Sequence, residues 1–174
     1  MSFLKSLFGR PESQDGRRAL YDAIVAEARA PHWYAQGRVP DTLDGRFDMV
    51  AAILSFVLLR LETLGASEDS ARLAEIFVED MDGQLRQIGI GDLVVGKHIG
   101  RMMSALGGRL GAYRAALAGE GDLGEALERN LYRGEAPAPA AVAHAAAGLR
   151  RFADGLAGAS LDDIRAGRIG TGGQ

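Results

Sequence analysis

The sequence predicts an all-α protein, one compact domain of six to seven helices with no β-sheet. Two observations carry that prediction. Apolar residues recur at three- and four-residue steps in successive segments of the chain. No segment shows the strict apolar–polar alternation of a half-buried strand, and no repeat recurs at a fixed period. The composition agrees. Hydrophobic residues make up 47% and charged residues 25% of 174 residues, which excludes whole-chain disorder and fits one globular domain.

The first ten residues form a short amphipathic segment. Phe3, Leu4, Leu7 and Phe8 fall on one helical face, with Lys5 and Arg10 off it. Two readings stay open: a terminus that frays or packs on the protein's own surface, or a weak, reversible membrane contact. The apolar part is too short for a secretory signal, so a cytoplasmic protein is expected. Residues 11–16 read as a linker. Residues 17–164 read as the single helical domain, and 165–174, rich in glycine, as a disordered tail.

Within the domain, Leu20, Ile24, Val25 and Ala28 mark the first helix, and Pro31 ends it, because the residue before a proline avoids the α region. An irregular stretch over 32–40 follows and holds the only tryptophan, Trp33. Thr42 or Asp41 caps a long helix, with Asp44 in its first turn, where the helix dipole favours an acid. Its apolar run over 49–59 is eleven residues, too short for a membrane span of about 20. It is a buried core helix. Gly65 stops it.

A third helix starts near Ser67, with Leu73, Ile76, Phe77, Met81, Leu85 and Ile88 as its stripe. Gly89-Ile-Gly-Asp92 is a helix–turn–helix junction: Gly89 takes the left-handed C′ position and Asp92 caps the next helix. That helix is interrupted by Gly96, Gly100, Gly107, Gly108 and Gly111. Each glycine costs about 1 kcal/mol against alanine, so the run implies either close approach by another helix or a weak, mobile stretch. The small-xxx-small spacing favours close packing. Residues 122–133, 140–157 and a short turn opened by Ser160 complete the helices.

The chain has no cysteine, which excludes disulfides, thiolate metal sites and a cysteine nucleophile. It has three histidines, which restricts metal and general-base chemistry. The net charge of −3 gives no broad electrostatic reason to bind DNA. Glu75, Glu79, Asp82 and Arg86 share a helical face, and such a stripe reads as a solvated surface rather than an acid–base pair. Lys97, Arg101 and Arg109 share a face of the next helix. They read either as a cationic surface or as partners of the acidic helix across the Gly89 turn. No residue is assigned a catalytic role, and no metal or cofactor is expected.

Two stretches resemble the ubiquinol–cytochrome c reductase chaperone family. They are Tyr34-Ala-Gln-Gly-Arg-Val-Pro-Asp-Thr-Leu-Asp-Gly-Arg-Phe47 and Phe77-Val-Glu-Asp-Met-Asp-Gly-Gln-Leu-Arg-Gln-Ile-Gly-Ile-Gly-Asp-Leu-Val-Val-Gly-Lys-His-Ile-Gly-Arg-Met102, followed by Gly108-Arg-Leu-Gly-Ala-Tyr113. The resemblance covers residues 17–120 well. It implies a non-enzymatic helical chaperone that binds newly made cytochrome b, or another subunit of the bc1 complex, and assists assembly of that respiratory-chain complex. A bacterial member would work in the cytoplasm, peripherally on the inner membrane, with a ribosome contact among the family's properties. A helical adaptor with a different client at the membrane or ribosome surface is the competing reading.

The client- or partner-binding candidates are Trp33, Tyr34, Val39, Asp41, Arg46, Phe47, Asp80, Asp82, Arg86, Asp92, Lys97, Arg101 and Met102. Trp33, Tyr34, Val39, Phe47 and Met102, with Met103, supply either adaptable apolar contacts or ordinary core. The membrane-contact candidates are Phe3, Leu4, Leu7 and Phe8.

Overall fold

The computed structural model describes residues 12–87, 89 and 91–170. These form eight α-helices and no strand: α1 Glu12–Ala28, α2 Pro31–Ala35, α3 Leu43–Thr63, α4 Ser67–Gln87, α5 Asp92–Leu117, α6 Leu123–Asn130, α7 Pro139–Gly158 and α8 Leu161–Arg165. The eighth helix beyond the expected six or seven is α2. Pro31 ends α1 and also begins α2, because a ring-locked φ and a missing N–H both suit a first helical turn. The stretch read as irregular is therefore helical over its first half.

Helix α3 is the centre of the molecule. Every residue from 48 to 59 is buried, on all sides of the helix. A helix apolar all round belongs in an interior, and α1, α4, α5 and α7 pack on it. Thr42 is its N-cap, its side chain accepting from the Gly45 N–H at 3.1 Å. Gly45 is required there: a Cβ would stand 1.9 Å from the Pro40 carbonyl oxygen. At the other end Arg60 donates to the Ala159 carbonyl at 3.0 Å, tying α3 to the end of α7.

Helix α2 is held by its aromatic residues. The Trp33 ring is fully buried, and its indole N–H donates to the Glu27 carbonyl at 2.9 Å. The ring lies where a side chain on Gly148 of α7 would be, 2.8 Å from the position of that Cβ. Tyr34 donates to the Ala28 carbonyl at 2.8 Å. His32 meets His144 of α7 with their ring nitrogens 3.2 Å apart.

Four expectations need correction. The linker over 11–16 is helical from Glu12 onward. Gly91, not Asp92, is the N-cap of α5, and Asp92 is its first residue. The glycines of α5 are not packing sites: a Cβ on Gly96, Gly100, Gly107, Gly108 or Gly111 would meet nothing within 4 Å. The tail is ordered through 170. Ser160 caps α8 in a reciprocal box with Asp163, Arg165 bridges to Asp69 at 2.8 Å, and Ile164 and Ile169 are buried. Gly167 has φ +74°, and a Cβ there would stand 2.9 Å from the Ala19 carbonyl oxygen. The face expected over Phe3, Leu4, Leu7 and Phe8, the stripe residue Ile88 and the last four residues lie outside the described residues.

Candidate functional site

A groove of about 590 Å³ lies where the start of α3, the end of α4 and the middle of α5 converge. Helix α3 contributes Leu43, Asp44 and Phe47; α4 contributes Met81, Gln84 and Leu85. Helix α5 contributes His98, Arg101, Met102, Ala105 and Arg109, and Arg133 follows α6. The floor is apolar and the rim carries cations. Leu43 is 59% exposed, a large apolar side chain left in solvent at the groove's lip.

A buried ion network supports the groove. Asp48, 1% exposed, accepts from Arg109, whose side chain is 7% exposed. Asp48 also accepts from Arg133 Nε at 2.5 Å, and Arg133 reaches Asp44 at 2.8 Å. Arg109 donates further to the Asn130 carbonyl at 3.2 Å and lies 5.7 Å from the centre of the Phe47 ring. One carboxylate thus joins α3, α5 and the end of α6. Burial pushes the Asp48 carboxyl up, while the Arg133 hydrogen bond and the Arg109 and Arg133 charges pull it down. Burial outweighs the two guanidinium partners, so the net shift is upward. Arg133 has φ +53°, a left-handed position rare for a side-chain-bearing residue. Its two bonds to Asp48 and Asp44 hold it there.

The structure brings three of the expected binding residues to this groove: Phe47, Arg101 and Met102. It separates the others. Trp33 and Val39 are buried core. Asp41 and Arg46 form an exposed pair at 2.7 Å. Asp80 accepts from Tyr21 at 2.7 Å and from Gln84 at 3.0 Å, joining α1 to α4. Arg86 binds Asp82 at 2.7 Å and also Asp92, so it bridges the Gly89 turn.

The cationic face expected on α5 is divided. Arg109 turns inward to Asp48, and Arg114 pairs with Glu62 at 2.7 Å. Lys97 and Arg101 are exposed and make no ion pair among the described residues. Pairing between the acidic helix and α5 runs through Arg86 and Asp92 instead.

Leu43, Met81, Leu85, His98 and Arg133 were not singled out as binding candidates by the sequence. One signal was available. Asp48 stands at the edge of a long apolar run, and a buried carboxylate requires a cation. Nothing in the sequence marks Arg133 as one of its partners. Among the described residues no group of three or more His, Asp or Glu is placed to hold a metal, and no helix is long and apolar enough to cross a membrane.

The model of the family described as ubiquinol-cytochrome C chaperone matches residues 35–171. The crystal structure of the Cbp3 homolog from Brucella abortus is similar at 33% identity, with a TM-score of 0.78, covering 92% of this chain and 90% of that one. No curated protein matches the chain.

Proposed function

Because the chain belongs to the ubiquinol–cytochrome c chaperone family, we propose that it is a non-enzymatic assembly chaperone for the cytochrome bc1 complex, with newly made cytochrome b as its client. The observation that carries this reading is the groove between α3, α4 and α5. A membrane subunit waiting for its partners exposes apolar helix faces that must be covered reversibly. Met81, Met102, Leu85 and Phe47 offer a floor that repacks around different apolar side chains. Arg101 and His98 at the rim give polar orientation without closing the groove.

In this reading the protein works at the cytoplasmic face of the inner membrane, where its client is inserted. The Phe3, Leu4, Leu7 and Phe8 face supplies a weak membrane contact, and Lys5 and Arg10 favour anionic headgroups.

The test is a cross-linked capture from the native host, with a photoreactive residue at position 102. The expected result is cytochrome b joined to the groove. Leu43→Glu abolishes that cross-link while stability stays within about 0.5 kcal/mol, since Leu43 is largely in solvent. Capture of a different protein at position 102, with no cytochrome b, overturns the client assignment. A second reading, an adaptor at an anionic membrane or ribosome surface, is favoured by the exposed Lys97 and Arg101, which make no ion pair among the described residues. Lys97→Glu with Arg101→Glu removes salt-sensitive co-sedimentation if that reading holds.

A further inference from the structure

The groove between α3, α4 and α5 keeps one positive charge after its own pairs are formed. Three guanidinium groups line it, those of Arg101, Arg109 and Arg133. Asp48 takes up Arg109 and Arg133, and Asp44 also accepts from Arg133. Two carboxylates thus answer two of the three cations. Arg101 is the third. It is exposed and makes no ion pair among the described residues. The floor adds donors rather than acceptors. The Arg109 side chain is only 7% exposed, and its Nε and Nη1 have no hydrogen-bond partner among the described residues. The chain as a whole carries −3, so this preference for an anion is local to the groove.

We propose that the groove seats one amphipathic helix of a protein partner, whose apolar anchors are flanked by an Asp or Glu carboxylate that pairs with Arg101. About 590 Å³ suits the anchor side chains of one helical face, spaced at i, i+3, i+4 and i+7. Phe47, Met81, Leu85 and Met102 receive them. A helix without the carboxylate fits the same floor but draws water away from Arg101 and leaves it unpaired, which costs affinity. A basic flank meets a like charge instead. The carboxylate therefore sets the orientation of the helix and excludes basic amphipathic helices. This inference rests on the reading of the groove as the client's seat, and adds what the seat selects.

The test uses synthetic peptides and the full chain. Each peptide is a fluorescein-labelled helix of about 15 residues, long enough to hold helical structure. It carries leucines at i, i+3, i+4 and i+7 on an alanine–glutamine background. One Glu is moved through the positions flanking the leucines, and matching Gln and Lys peptides are compared by fluorescence anisotropy. The expected result is that the tightest Glu peptide binds at least about threefold better than its Gln counterpart, and the Lys counterpart worse than Gln. Arg101→Gln removes the preference and leaves the Gln peptide's affinity unchanged. Lys97→Gln, at an exposed cation that does not line the groove, keeps the preference. Leu43→Gln, at the exposed lip, weakens every peptide and so locates them in the groove.

Equal affinities for the Glu and Gln peptides, or a Glu preference that survives Arg101→Gln, overturn this inference and leave the client reading standing. Affinities untouched by Leu43→Gln, or no binding of any peptide, overturn it together with the groove's part in the proposed function.

Discussion

Arg109 of α5 donates to Asp48 of α3 across the floor of the molecule, and both side chains are removed from solvent. Among the described residues Arg109 Nε and Nη1 have no hydrogen-bond partner, and Asp48 and the Asn130 carbonyl accept from its Nη2. Removing Asp48 leaves a buried guanidinium uncompensated. Asp48→Asn is expected to cost about 3–5 kcal/mol, the scale for breaking a buried ion pair from one side. Replacing both partners with apolar residues, Asp48→Leu with Arg109→Met, recovers much of that loss. Urea denaturation of the two single variants and the double variant measures the coupling. Additive losses would show that the pair does not act as a unit.

Glycines on two helices are expected to respond with opposite signs. Gly148→Ala places a methyl group 2.8 Å from the Trp33 ring and costs about 1–3 kcal/mol through overpacking. Gly96→Ala and Gly100→Ala meet no neighbour and each stabilise α5 by up to about 1 kcal/mol through helix propensity. Thermal melts of the three variants check this. A destabilising Gly100→Ala would mean that α5 packs closely against another helix after all.

Stability is expected to fall as pH drops below 6.5. Burial, and then the charges of His144 and Arg151, lower the His32 pKa from its ordinary 6.5. The unfolded chain therefore takes up a proton before the folded one does. His32 leaves stability intact above pH 6.5 and erodes it as pH falls from there. His32→Asn flattens this slope, measured by denaturation at pH 7 and at successively lower pH.

A separate loss occurs in stronger acid. The Ser160 hydroxyl, and then Arg168, hold the Asp163 carboxyl down at about 2. Its folded pKa lies below the unfolded 3.8, so the α8 cap is fully present above that value and lost as pH falls toward about 2. Amide exchange over residues 161–170 reports it.

The C-terminal segment is expected to behave as core. Ile169→Ala costs about 2–5 kcal/mol if Ile169 fills the buried site it occupies here. A loss below about 0.5 kcal/mol is what a disordered tail predicts.

The groove was legible only in fragments. Phe47, Arg101 and Met102 were candidates from sequence, but nothing placed Met81 and Leu85 of α4 opposite them. Helical periodicity gives each residue its face, but it carries no information on which other face lies across from it. The small-xxx-small run of α5 shows the same limit. Its spacing suggests close packing, yet those glycines face open space, because a helix's neighbours are chosen by the whole fold.

By itself the sequence determined the all-α class, the long helices, their breaks at Pro31, Gly65 and Gly89, and the central position of α3. These follow from local terms: apolar spacing, capping and the left-handed freedom of glycine. The tertiary structure alone decided that Arg109 turns inward and Lys97 and Arg101 outward, that Trp33 fills the space left by Gly148, and that Ile169 is buried. Each of those outcomes pairs residues more than 60 positions apart or buries a tail against distant helices. Such pairings are set by packing and desolvation among whole elements, and no local pattern encodes them.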